Sequence, residues 1–376
     1  MRALVTGGAG LIGSHLVDAL LAQGDEVRIL DNLDPGSHRG RPAWIPDEAE
    51  FILGDVRDTD ALAKSLRGID EVYHLAAAVG GVTTEISSFF DVNATGTARI
   101  FEVLDQEKIA IRKLVAPSSQ SIYGEGLYRC EQHGTVQPLP RDLTRMAEGH
   151  WEPQCPQCGA ALTPLLTDES AHLNGETPYA ASKIAEERIV IGLGKRFAIP
   201  TAALRYAVVY GPRQSVFNPY TGILSIFSTL LLNDRPPRAF EDGQETRDFV
   251  YVGDVVRATM TAMREDGADG QVLNVGRGVP VTIVEVIEAL AAAYEREPNY
   301  VVTGEFRPGD VRHLVLDAGR IRALGWEPQT ELAAGLVQMA GWIEGLGELE
   351  DVFSGMLGEQ RERGTVMQSD ASAPQA

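Results

Sequence analysis

The stretch MRALVTGGAGLIGSHLVDALLAQGDEVRILD, residues 1–31, decides the fold. An apolar run at 3–6 reads as a strand, Gly7, Gly10 and Gly13 as a turn, 16–22 with Gly24 behind it as a helix, and 26–30 as a second strand. This is a βαβ unit. Glycines in such a turn, here flanking Leu11 and Ile12, let backbone N–H groups approach a pyrophosphate at the positive end of the helix. The second strand ends at Asp31, 18 residues after Gly13, where a carboxylate can accept hydrogen bonds from an adenosine ribose diol. The same carboxylate repels a 2′-phosphate, and Asn32 rather than Arg follows it, so the pattern favours NAD over NADP.

Working outward, short apolar runs at 50–53, 71–75, 113–116 and 201–204 alternate with helical stretches such as 93–106 and 179–197. Such alternation predicts an α/β protein with a Rossmann-type, doubly wound parallel sheet. Asp55 and Val56 follow the third strand and Leu75, Ala76 and Ala77 the fourth, at the carboxyl ends where these sheets make adenine and pyrophosphate contacts. After about Tyr206 the pattern loosens around Pro and Gly, and helices follow at 252–264 and 283–294. We expect a dinucleotide domain over 1–205 with an insertion at about 125–170. A smaller α/β substrate domain is expected over 206–346, with some segments returning to the sheet. A C-terminal helix and a disordered tail should occupy 347–376, the small polar residues from about Gly364 forming the tail.

The chain has 376 residues, is 44% hydrophobic and 23% charged, and holds no run near the roughly 18 apolar residues of a membrane span. No cleavage site follows an apolar run at the N-terminus, so the expectation is a cytoplasmic protein without a membrane partner. A net charge of -20 argues against nucleic acid as a partner, and an anionic ligand would need local cations.

Tyr179 and Lys183 stand four apart at the start of a helix, hence on one face. Cationic charge beside the phenol makes a tyrosinate accessible, which can take the proton of a sugar hydroxyl while hydride moves from carbon to NAD. Upstream, PSSQSIYG (residues 117–124) follows the strand 113–116, so its hydroxyls fall at the carboxyl edge of the sheet, where Ser119 can hold the reacting oxygen.

The GlyxxGlyxxGly turn, the Ser-rich loop ending Tyr123-Gly124, and Tyr179 with Lys183 together resemble the extended short-chain dehydrogenase/reductase family of sugar-nucleotide epimerases and dehydratases, over roughly residues 1–345. The resemblance implies a catalytic triad of Ser119, Tyr179 and Lys183. It places Asn93 on the cofactor side and Ser121 and Asn218 near the hexose, and it gives Arg247, Arg307 and Asp310 to the nucleotide diphosphate side. Where the family's 4,6-dehydratases carry an Asp-Glu pair, this chain has Gln120-Ser121, so elimination lacks its general acid and C4 epimerisation through a transient 4-keto sugar is the simpler chemistry. Val208 stands where many relatives have Asn, which suits a less polar sugar such as a 6-deoxyhexose. An external 4-ketoreductase, or an NAD-binding scaffold without chemistry, are the competing readings. The resemblance also implies a homodimer formed through the helices at 93–106 and 179–197.

The chain's three cysteines fall in one 29-residue window. Cys130 with His133 and Cys155 with Cys158 each enclose two residues, and three thiolates with one imidazole make a closed tetrahedral zinc site of structural type. Two reduced knuckles or a disulfide are the alternatives. The insertion lies between Ser119 and Tyr179 in sequence and resembles that of the subgroup of dTDP-L-rhamnose 4-epimerases. The expected substrate is therefore first a dTDP-linked 6-deoxyhexose, then UDP-glucose or UDP-glucuronate.

Overall fold

The computed structural model describes residues 1–79, 86–217 and 222–370. Seven strands form the main sheet: β1 (Arg2–Thr6), β2 (Glu26–Asp31), β3 (Glu50–Leu53), β4 (Glu71–His74), β5 (Lys113–Ser119), β6 (Thr201–Tyr206) and β7 (Gln271–Val275). Their order is β7-β6-β5-β4-β1-β2-β3, and every pairing is parallel. The chain leaves β1 toward one edge and returns through β4 toward the other. That reversal opens a crevice at the carboxyl ends of β1 and β4, where doubly wound sheets bind ligands.

Both faces of the sheet are covered. Leu16, Val17, Leu20, Val255, Ala258 and Ala262 pack on one face, and Leu62, Leu66, Ile100, Phe101, Leu104 and Val190 on the other. This double covering explains why the strands read as continuous apolar runs rather than alternating ones. The long helix Pro178–Phe197 is started by Thr177, whose hydroxyl accepts from the Ala180 N–H at 3.1 Å, with Pro178 in the first turn. The stretch expected as one helix from residue 93 begins instead with a π-helical turn, Asp91–Gly96, that continues into Thr97–Gln106.

The region after Tyr206 builds a second core around Phe227, Phe249, Val286, Leu290, Leu336 and Met339, and returns β7 to the main sheet. The insertion forms a small antiparallel sheet in which Tyr128–Cys130 pairs with both Gly134–Val136 and Thr163–Pro164. Residues 364–370 depart from the expected tail. Met367–Gln368 pairs antiparallel with Glu305–Phe306, and Val366 buries with Phe353, Met356 and Leu357 against Leu230. The apolar side chains responsible are too widely spaced to show a period in sequence. Among the described residues no helix is long and apolar enough to cross a membrane.

Candidate active site

The glycine turn is shaped by close approach. Gly7 adopts φ +68°, and a Cβ there would stand 2.7 Å from the Ala76 nitrogen, while one on Gly13 would run into the Gly7 carbonyl oxygen. No side chain caps the helix Leu11–Ala22 at Gly10, so Leu11, Ile12 and Gly13 present an uncapped first turn to the crevice. Asp31 is locked beside it. Its Oδ2 accepts from the Ala9 N–H at 2.9 Å and its Oδ1 from the Leu33 N–H at 2.8 Å. The Asp31 carboxylate is thereby tied to the glycine turn.

Asn32 donates to Asp55 Oδ2 at 3.0 Å. The Arg57 guanidinium, hydrogen-bonded to both Asp55 oxygens, holds that carboxyl down at about 2 despite partial burial. Across the crevice the Thr6 hydroxyl accepts from the Ala76 N–H at 3.1 Å and meets His74 Nδ1 at 2.8 Å, while His74 Nε2 lies 2.9 Å from the Thr97 hydroxyl. Burial, with the nearby Lys183 charge, pushes His74 down to about 3, so the ring is a neutral spacer.

Asn93 does not line the crevice. Fully buried on the π-helical turn, it clamps Ala78 through both backbone groups, at 2.7 Å and 3.1 Å, and donates to the Ser182 hydroxyl at 2.9 Å. It therefore joins the loop after β4 to the helix bearing Tyr179 and Lys183. The π-helical turn carries the residue inward, consistent with the frequent use of such turns at functional sites.

At the far end, Ser119 closes β5 and caps the short 3-10 turn Gln120–Tyr123. Its oxygen accepts from the Ser121 N–H at 3.1 Å and from the Ser121 hydroxyl at 2.9 Å, which leaves its own proton for another acceptor. The Tyr179 ring meets Phe89 edge-on at 6.0 Å between centroids. Lys183 is almost wholly buried and pairs with Glu186 one turn further on.

A single cavity of about 1050 Å³ runs between these ends. It is lined by Gly7, Gly10, Leu11, Ile12, Gly13, Asp31, Asn32, Asp55, Val56, Leu75, Ala76 and Ala77 at one end and by Ser119, Tyr179 and Lys183 at the other. Sequence reading missed part of this wall. Arg39 and Arg41, in the loop behind β2, and Arg213, which pairs with Asp18 at 2.7 Å, bring cations to this wall, and their only signal was position shortly after Asp31 or after the Gly211-Pro212 turn. Trp44 donates from its indole N–H to the Ala9 carbonyl at 3.0 Å and meets Trp342 edge-on at 6.2 Å. Nothing local in sequence pairs those two.

The remaining expected residues that the structure describes lie off this cavity. Ser121 supports Ser119 from behind. Arg247 sits on a short strand (Thr246–Arg247) parallel to His313–Leu314, and its guanidinium donates to the carbonyls of Thr246, Val311 and Arg312. Arg307 lies over the Phe240 ring at 4.8 Å and donates to Gln360, and Asp310 is exposed. The structure thus brings Arg247 beside 311–312 without opening either to the main cavity. Asn218 lies outside the described residues. Val208 is packed against the second core rather than on the cavity wall, where Val209 stands.

In the insertion, the Sγ atoms of Cys130, Cys155 and Cys158 and a ring nitrogen of His133 all lie within 4.8 Å of one another. Cys130 Sγ is 3.7 Å from Cys158 Sγ, and His133 Nδ1 is 3.5 Å from both Cys130 and Cys155. A tetrahedral ion with bonds of about 2.3 Å to sulfur and about 2.0 Å to nitrogen has edges of about 3.8 Å and 3.5 Å. The Cys130–Cys158, Cys130–His133 and Cys155–His133 separations match those edges. Gly134 and Gly159, both at φ +70°, make the two turns that present it.

Family models match both halves of the chain: "NAD dependent epimerase/dehydratase family" over residues 3–142 and "GDP-mannose 4,6 dehydratase" over residues 159–339. The chain belongs to the NAD-dependent epimerase/dehydratase family. It is 33% identical over 350 residues to a dTDP-L-rhamnose 4-epimerase of Burkholderia thailandensis, covering 91% of this chain and 94% of that one. It is 35% identical over 348 residues to a UDP-glucose 4-epimerase of Mycolicibacterium smegmatis, covering 90% and 97%. Among solved structures, the UDP-glucose 4-epimerase of Thermus thermophilus in complex with NAD superposes with a TM-score of 0.72 at 30% identity, over 92% of this chain and 99% of that one.

Proposed function

We propose that this protein is an NAD-dependent nucleotide-sugar 4-epimerase whose first candidate substrate is dTDP-L-rhamnose, with UDP-glucose and UDP-glucuronate next. The observation that carries the reading is one continuous cavity with a dinucleotide cradle at one end and Ser119, Tyr179 and Lys183 at the other. The glycine cradle and the Asp31 carboxylate fit NAD, which when bound supplies a hydride acceptor and donor at the sugar C4. Tyr179 takes the proton of the 4-hydroxyl, Lys183 holds positive charge beside it, and Ser119 donates its free proton to the same oxygen. Because Gln120 and Ser121 carry no acid, the sugar keeps its other hydroxyls, and Tyr179 returns the proton when the 4-keto sugar has been reduced on its opposite face. The family relatives at similar identity act on different sugar nucleotides by name, so the choice of dTDP-L-rhamnose rests on the cysteine-bearing insertion.

The zinc ion belongs to the same proposal. Cys130, His133, Cys155 and Cys158 hold it with no position left for a substrate, so its role is to fold the insertion. Two such chains assemble as a homodimer through Thr97–Gln106 and Pro178–Phe197, which pack against each other in each subunit.

Incubating the purified enzyme with each sugar nucleotide, without added cofactor, and following C4 inversion by NMR tests the assignment. Catalytic inversion of at least one is expected, and loss of that inversion in Tyr179→Phe. Stoichiometric consumption of added NADH or NADPH in place of inversion would make the protein a 4-ketoreductase, and a Tyr179→Phe enzyme that inverts at the normal rate would remove Tyr179 from its role.

A further inference from the structure

We propose that Glu186 is a positioning residue for the redox step: it holds the Lys183 ammonium from behind and sets how much of that cation's field reaches Tyr179. The inference rests on the reading of Tyr179 and Lys183 as the proton-transfer pair, and adds a third member that does not touch the reacting atoms.

The geometry is specific. Tyr179, Lys183 and Glu186 follow one another at four and then three residues along the helix Pro178–Phe197, so the cation is flanked by phenol and carboxylate on one face. Lys183 is 1% exposed and reaches the cavity wall, whereas Glu186 is 0% exposed and lies behind it. Glu186 Oε2 accepts from Lys183 Nζ, and Oε1 is buried without a hydrogen-bond partner among the described residues. A carboxylate taken out of water and given one bond is costly, and it persists only where a buried charge balances it.

Among the described residues no other acidic group pairs with Lys183. On the same helix Glu187 is committed, binding Arg205 of β6 through both oxygens at 2.9 Å and 2.7 Å and accepting from Ser118 of β5 at 2.9 Å. From β4 the titratable group is His74, a neutral ring held between Thr6 and Thr97. Among the described residues, the counter-ion of Lys183 is therefore Glu186. Burial pushes the Glu186 carboxyl up to about 7 against the pull of Lys183, with the Glu187 charge acting in the same sense as burial.

The consequence follows from charge balance. With Glu186 ionised the pair is close to neutral and little of the lysine's field is left for the phenol. When Glu186 takes a proton the ammonium is uncompensated and favours phenolate at Tyr179. The carboxylate thus moderates the base, and its proton couples the cavity to pH in the neutral range.

The test uses the NAD-loaded enzyme without any sugar nucleotide. Ultraviolet tyrosinate absorbance is titrated against pH, and the part that Tyr179→Phe removes is compared in the wild type, Glu186→Gln and Glu186→Asp. Glu186→Gln, which keeps the shape and removes the charge, is expected to bring the signal in about one pH unit lower, a tenfold change in proton affinity. Glu186→Asp, which retains the charge, should titrate like the wild type. A Glu186→Gln titration that coincides with the wild type, or moves to higher pH, overturns the proposal. Should Glu186→Gln not fold, infrared spectra of the wild type are compared with those of Glu186→Asp: a buried carboxyl band that the substitution moves, and that is lost as the pH rises from about 6 to 8, is expected, and its absence overturns the proposal. Because no sugar is present, failure here leaves the substrate assignment standing, and failure of that assignment leaves this readout intact.

Discussion

Arg141, carried by the insertion, and Glu241, from the region beyond β6, form a bidentate pair with Nη1–Oε2 at 2.8 Å and Nη2–Oε1 at 2.7 Å, both side chains at most 4% exposed. Arg141 also donates to the Asp310 carbonyl at 2.8 Å, and Arg312 binds Glu241, Asp242 and Glu152. The insertion is therefore braced against the two segments that carry Arg247 and 310–313. Removing one partner leaves a buried charge, so Arg141→Ala should cost about 3–5 kcal/mol. Denaturant midpoints measure this. A double-mutant cycle with Glu241→Gln should show strong coupling, and additive losses would show that the pair is not the brace.

The cysteine cluster gives a second prediction. The purified protein should contain about one zinc per chain by elemental analysis, and Cys155→Ala should lose it. Hydrogen exchange should then rise across 128–164 while β1, β4 and β5 stay protected, since the main sheet buries its own core. A metal-free wild type with unchanged protection in the insertion would dismiss the ion as its fold determinant.

The difference between what sequence reveals and what it conceals follows from the range of each interaction. Gly7, Gly10, Gly13 and Asp31 are legible because the cradle is built by one βαβ unit, and Tyr179 with Lys183 because one helix presents both. The cysteine pairs are legible through ligand spacing. Trp342 reaches Trp44 across almost 300 residues, and Arg213 joins the cavity through a turn at φ +67°, neither of which leaves a local pattern. Asn93 carries the opposite lesson. Its identity suggested the cofactor side, yet the π-helical turn aims it at the Ala78 backbone, so it shapes the cavity without lining it.

Asp31 should carry much of the cofactor affinity. Its oxygens are already positioned by Ala9 and Leu33, so replacing it removes a preorganised acceptor and frees two backbone donors at once. A hydrogen bond to a charged group is worth about 1.5–3 kcal/mol, and Asp31→Ala is expected to weaken NAD by between about tenfold and a hundredfold. Calorimetry on the stripped enzyme reads it directly. Unchanged affinity would place the ribose elsewhere in the cavity.

Acid should loosen the contact that Glu152 makes with His313 and Arg312. His313 Nδ1 accepts from the Thr246 N–H at 3.3 Å, which leaves Nε2 to donate to Glu152 at 3.1 Å, and Arg312 donates to the other Glu152 oxygen at 2.8 Å. Burial pushes the Glu152 carboxyl up, but His313 and Arg312 outweigh it and bring it down to about 2 from an ordinary 4.5. A folded-state value below the unfolded one means the stabilisation is present above about pH 4.5 and is lost as the pH falls through the folded value. Glu152 is half-exposed, so the effect is screened and modest. The measurable sign is convergence. Glu152→Gln should be less stable than the wild type near neutral pH, and the gap in urea midpoint should narrow as the pH falls from about 5 toward 3. A gap that stays constant over that range would show that the Glu152 charge contributes nothing to the brace, and that Arg312 is held by its other carboxylate partners, Glu241, Asp242 and Glu245.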